Sequence, residues 1–211
     1  MRKIQFVNNE YYHILNRGVD KREIFSDYED MARFFQSMHE FNTLEPIGSI
    51  FENSFRQLGD SVSKDSENLV DFVSYCLNPN HFHFILRQLT DKGIEKFMHR
   101  IGVGYTMYFN NKHERNGSLF QGGYKAIHIN SNEYLLHLSA YVNLNNKVHQ
   151  LGDSVSKSKS SWNEYVNNYD SFCKKDIIMS QFNNILEYRN FAEESLKDIR
   201  ERKEAEKFLL E

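Results

Sequence analysis

Between Leu69 and Leu86 the chain offers two strand-like runs, Leu69 to Leu77 and His81 to Leu86, separated only by Asn78-Pro79-Asn80. So short and turn-prone a link leaves little choice but an antiparallel hairpin. Within the second run, His81 and His83 alternate with Phe82, Phe84 and Leu86. Side chains on a strand point to opposite faces in turn, so the imidazoles share one face and the apolar residues share the other. A sheet containing this strand needs a covered face behind the phenylalanines and a polar use for the face that carries the histidines.

The surrounding elements follow from the same kind of pattern. Tyr11 to Arg17 reads as a strand closed by Gly18. A helix follows from Tyr28 to about Phe41, capped by Asp27, with Met31, Phe34, Phe35 and Met38 at helical spacing. Ile94 to about Asn110 is helical in its apolar period despite Gly102 and Gly104. Tyr124 to Ile129 is a short strand, and Asn132 to Val148 a helix with Asn132 as its cap. The order β-α-β-β-α-β-α predicts an α+β fold, an antiparallel sheet with helices on one face, followed by a charged helical C-terminal extension. We expect the main domain to cover residues 1–168 and the extension residues 169–211.

Composition narrows the function classes. With 40% hydrophobic and 26% charged residues in 211, the chain can build a packed core. Two cysteines, Cys76 and Cys173, are too few for a disulfide framework or a four-thiolate zinc site. No apolar run approaches the roughly 20 residues of a membrane span, and the first residues lack a secretory pattern; the expectation is a cytoplasmic protein without a membrane partner. The net charge of −3 argues against an indiscriminate nucleic-acid coat. Locally the balance reverses: from Arg87 to Lys125, seven basic residues face three acidic ones, which leaves phosphate binding open.

One segment repeats. Gln57-Leu58-Gly59-Asp60-Ser61-Val62-Ser63-Lys64 recurs letter for letter as Gln150 to Lys157. Both copies lie between expected elements, near 57–66 and 150–160, and read as loop insertions.

Several residues are candidates for chemistry. His81 and His83 are either a two-point metal grip or two surface histidines on a half-buried strand. Tyr141 and Asn145 lie four apart, one helical turn from each other. Asn145 offers an amide oxygen to a divalent cation, and Tyr141 is either a nucleophile toward a phosphodiester or an ordinary amphipathic-helix tyrosine.

The order of these residues resembles the single-tyrosine HUH transposases of the small insertion-sequence type, above all the REP-associated tyrosine transposases. Tyr12-His13-Ile14-Leu15-Asn16-Arg17-Gly18 with Ile24-Phe25 is similar to that family's opening strand and turn. Cys76-Leu77-Asn78-Pro79-Asn80-His81-Phe82-His83 resembles its HUH strand, Gly117-Ser118-Leu119-Phe120-Gln121-Gly122 its Gly-x-Leu-Phe-Gln-Gly segment, and Tyr141-Val142-Asn143-Leu144-Asn145 its catalytic helix. Trp162-Asn163-Glu164-Tyr165 resembles the segment after it. The likeness implies a ferredoxin- or RRM-like sheet, His81, His83 and Asn145 as ligands of Mg2+ or Mn2+, and Tyr141 as nucleophile. It implies nicking and rejoining of hairpin-bearing single-stranded DNA through a 5′-phosphotyrosine, by a monomer or homodimer. DNA contacts are expected from Arg17, Arg100, Lys112, Arg115 and Lys125; for Tyr105, Tyr108 and Phe120 core packing is the favoured role and base stacking the alternative. Departures from the family pattern are Asn78 where methionine is common, Asn146 where a proline is usual, and Gly123 where a basic residue is common. Two other readings share the same residues: a non-cleaving binder of structured single strands, and a two-histidine hydrolase in which Tyr141 is structural.

Overall fold

A computed structural model describes residues 4–51, 67–148, 158–167 and 172–208. Both copies of the repeated octapeptide lie outside the described residues.

The hairpin forms as its sequence requires. Strand β2 (Val70–Asn78) and strand β3 (His81–Gln88) pair antiparallel, with Asn78 opposite His81 and Cys76 opposite His83. Strand β1 (Tyr11–Arg17) pairs with the other edge of β3, placing Leu15 opposite His83 and Arg17 opposite His81. Strand β4 (Lys125–His128) adds beyond β1, and a two-residue strand β5 (Lys159–Ser160), not anticipated from sequence, extends β2. The sheet runs β4-β1-β3-β2-β5 and is antiparallel throughout. The α+β architecture is the one expected.

Alternation along the strands divides the molecule into two cores. On one face Tyr12, Ile14, Phe72, Phe82 and Phe84 pack against helix α1 (Tyr28–Glu40) and helix α2 (Gly93–Lys112). Phe34 is fully buried there, with its ring centroid 4.8–6.3 Å from those of Phe25, Phe82, Phe84 and Tyr105. Helix α1 begins at Asp27, whose carboxylate accepts the Asp30 N–H at 2.9 Å. Helix α2 runs unbroken through its glycines. A side chain at Gly104 would come within 2.8 Å of the Phe41 ring, so close packing dictates that glycine.

The sequence pattern predicts helices on one face only, but the opposite face, which also buries apolar residues, carries its own. Helix α3 (Asn132–Asn143) and the long C-terminal helix α4 (Ile185–Phe208) cover Val73, Cys76 and Ile85. Ser131, not Asn132, caps α3, accepting the Tyr134 N–H at 3.1 Å. The helix expected to reach Val148 is interrupted at Leu144 and resumes as a single turn over Asn145–Val148. Tyr188 and Ala192 of α4 are fully buried against α3 and the short helix Trp162–Val166, here α5. Among the described residues, no helix is long and apolar enough to cross a membrane.

Phe34→Ala removes the ring that ties α1 to the sheet and to α2. It should destabilise the fold by about 3–5 kcal/mol in urea denaturation, without altering the elements on the opposite face.

Candidate active site

Because β3 lies in the middle of the sheet, His81 and His83 project from its central strand toward α3. His83 is buried, and its Nδ1 lies 2.9 Å from Nε2 of His13 on the neighbouring strand. Burial lowers the His13 pKa to about 4, so that ring is neutral at physiological pH and one of the two nitrogens donates to the other.

His81 is oriented from its other side. Asn80 Nδ2 donates to the Lys21 carbonyl at 3.2 Å, which turns Asn80 Oδ1 toward His81 Nδ1 at 2.6 Å. An oxygen acceptor there places the proton on Nδ1 and the lone pair on Nε2. That lone pair faces Asn145 Oδ1 at 3.2 Å and Asn78 Nδ2 at 3.0 Å. Asn145 and Asn78 are both fully buried. Two acceptors, one imidazole nitrogen and one amide oxygen, thus converge within a few ångströms in a water-poor site.

Tyr141 completes the group. Its ring centroid is 5.5 Å from that of His83 and 6.5 Å from that of His13, with both pairs edge to face. Burial raises the phenol pKa, and Asn145 pulls it the other way. All four residues singled out in the sequence, His81, His83, Tyr141 and Asn145, therefore meet within one chain.

A second layer holds α3 in register with the sheet. Asn143, on the far side of α3 from the histidines, donates to the Tyr188 hydroxyl at 2.8 Å and accepts from Ser161 Oγ at 2.5 Å. Ser161 Oγ in turn accepts the Tyr75 N–H of β2 at 2.9 Å. One buried amide thereby links α3, α4, the start of α5 and the sheet.

Residues 47–145 match the family profile described as transposase IS200 like. That match covers a little under half of the chain. No curated protein sequence matches it. Among solved structures, that of a REP-associated tyrosine transposase bound to a REP hairpin is similar in fold. That similarity has a TM-score of 0.52 at 12% identity and covers 79% of this chain and 85% of that one.

A groove of about 630 Å³ runs past the histidines, lined also by Arg17, Lys21, Gln121 and Lys125. Register explains the gathering: Lys125, Leu15 and His83 form one row across β4, β1 and β3, and Arg17 lies beside His81. Arg17 Nε donates to Gln121 Oε1, and the Gln121 N–H donates to the Arg17 carbonyl at 2.8 Å. The Gly117–Gly122 segment is thus docked on the end of β1. Gly18 at that end admits no side chain, since a Cβ would lie 2.2 Å from the Arg22 carbonyl oxygen.

The other expected DNA contacts are placed elsewhere. Arg100 donates to the carbonyls of Phe41, Thr43 and Leu44 and closes the loop after α1. Lys112 sits among Asp27, Glu29 and Asp30 at 2.7–3.1 Å, and the Arg115 guanidinium lies over the Phe109 ring. Tyr105 and Phe120 are buried in the core. Asp27, Asp30 and His113 approach one another closely enough to hold a cation, but the Lys112 ammonium already fills that role.

Sequence reasoning missed His13, Lys21, Gln121 and Asn78 as parts of the site. Alternation along β1 puts residues 13, 15 and 17 on the histidine face, a signal that was available for His13. Asn143→Ala should leave the Tyr188 hydroxyl and Ser161 Oγ short of a partner in the interior. A loss of about 2 kcal/mol or more is expected in chemical denaturation.

Proposed function

We propose that this protein is a transposase that cleaves and rejoins hairpin-bearing single-stranded DNA, with Tyr141 as nucleophile and His81, His83 and Asn145 holding Mg2+ or Mn2+. The observation that carries the reading is the convergence of those four side chains on one face of the central strand. The donor set suits a hard or borderline divalent ion: two neutral imidazole nitrogens and one amide oxygen. The 3.2 Å between His81 Nε2 and Asn145 Oδ1 is close to the roughly 3 Å between adjacent ligands around an ion with bonds near 2.1 Å. Each histidine has its Nδ1 engaged, by Asn80 and by His13, which makes Nε2 the ligating nitrogen and fixes the ring orientation.

When bound, the ion would polarise the scissile phosphate and draw off charge as the pentacoordinate state forms. The remaining work falls to the chain. Tyr141 attacks phosphorus, its phenol proton leaving as the O–P bond forms. The bond to the 3′ oxygen breaks, and that oxygen takes up a proton. A 5′-phosphotyrosine and a free 3′-hydroxyl result. Because the ester conserves the energy of the broken bond, attack by a 3′-hydroxyl reverses the step. Burial raises the phenol pKa further above neutrality, so Tyr141 rests as the neutral phenol. Arg17, Lys21 and Lys125 supply positive charge to the backbone of the strand along the groove.

The test is an adduct assay. A labelled single strand bearing a hairpin, incubated with protein and Mn2+, should yield a covalent complex that survives denaturation and vanishes with Tyr141→Phe or with chelator. Cleavage without adduct in Tyr141→Phe would support the hydrolase instead; tight binding with neither product would support the non-cleaving binder. Arg17→Ala and Lys125→Ala should each weaken binding and make the slope of log affinity against log salt shallower by about 0.7. Arg100→Ala should leave that slope unchanged.

A further inference from the structure

Asn78 stands where the resembled family commonly carries methionine, and the register of the hairpin sets it directly opposite His81. Its carboxamide is fully buried. The Cys76 thiol donates to its Oδ1 at 3.6 Å, which turns Nδ2 the other way. Both hydrogens of that Nδ2 then have acceptors: Asn145 Oδ1 at 2.8 Å and His81 Nε2 at 3.0 Å. These are two of the three atoms assigned above to the ion.

We infer that Asn78 is an internal placeholder for the metal, holding His81 and Asn145 in ligand geometry without the ion and competing with the ion for His81. The inference rests on the metal reading of the site. Its physical basis is the lone-pair count. With the His81 proton on Nδ1, Nε2 has one lone pair, and it is given either to an Asn78 N–H or to a cation. Asn145 Oδ1 has two, so it can keep its bond to Asn78 while ligating. Entry of the ion therefore breaks one buried hydrogen bond and leaves one N–H without its partner. Absent both ion and Asn78, the His81 and Asn145 acceptors would face each other at 3.2 Å with nothing between them, an unfavourable arrangement in the interior. Asn78 thus stabilises the metal-free site and weakens the metal-bound one. It is a positioning residue: it reaches the ligands and has no part in the attack on phosphorus.

Two variants separate this role from ordinary packing. Asn78→Met removes the donor and fills the space; Asn78→Asp keeps the shape and replaces the donor by an acceptor. Mn2+ affinity, measured by isothermal titration and by the Mn2+ electron-spin resonance signal, should rise roughly five- to tenfold in Asn78→Met, the equivalent of one hydrogen bond. It should rise further in Asn78→Asp. The metal-free melting temperature should fall by a few degrees in both, with a larger upward shift on adding Mn2+ than in wild type. Affinity unchanged or weakened in both variants would overturn the proposal, since the amide would then be supporting Asn145 or merely packing. Absence of Mn2+ binding by the wild type, or binding undiminished in His81→Ala, would instead overturn the metal reading and the placeholder with it. If Asn78→Met fails to fold, Asn78→Leu, which also removes the donor and adds no charge, is read by the same criteria.

Discussion

The structure depends on the alternation of side chains along β3. A strand at the centre of a sheet has both faces covered, and this one commits Phe82, Phe84 and Leu86 to one core while His81 and His83 enter the other side. A shift of register by one residue would exchange the phenylalanines and the histidines at once. The same pairing that buries the apolar side chains therefore fixes the imidazoles, and stability and chemistry share one geometric requirement.

Around that strand the polar residues of the buried site are held by a chain of hydrogen bonds. Lys21 orients Asn80, which orients His81; His13 orients His83; Cys76 orients Asn78, which reaches Asn145. Buried polar groups are tolerated only when such partners are supplied. The helix bearing Tyr141 is tied down separately, through Asn143, by the C-terminal helix and by the start of α5. Tyr188 makes the C-terminal helix part of the architecture around the site, a role that the charged, solvated pattern of that segment does not advertise.

Basic residues illustrate how little a count of charges reveals about a binding face. Arg100 and Lys112 lie in the locally positive stretch, yet loop carbonyls and three carboxylates neutralise their donors. Lys21 lies outside that stretch and borders the groove. Partners in space decide which cations remain available to a phosphate, and those partners are 56 to 85 residues away in sequence.

Much was legible in the chain alone because it rests on local rules. Strand alternation, the Asn78-Pro79-Asn80 turn, the Asp27 cap and the helical spacing of Phe34 and Tyr105 each involve residues a few positions apart, and together they determine the elements and which side chains share a face. The helix break at Leu144, the two-sided helical cover and the roles of His13, Asn78 and Arg100 were decided only in three dimensions. Each depends on a contact between residues far apart in sequence, where burial removes water and makes the identity of the nearest partner, rather than the intrinsic character of the residue, the controlling energy.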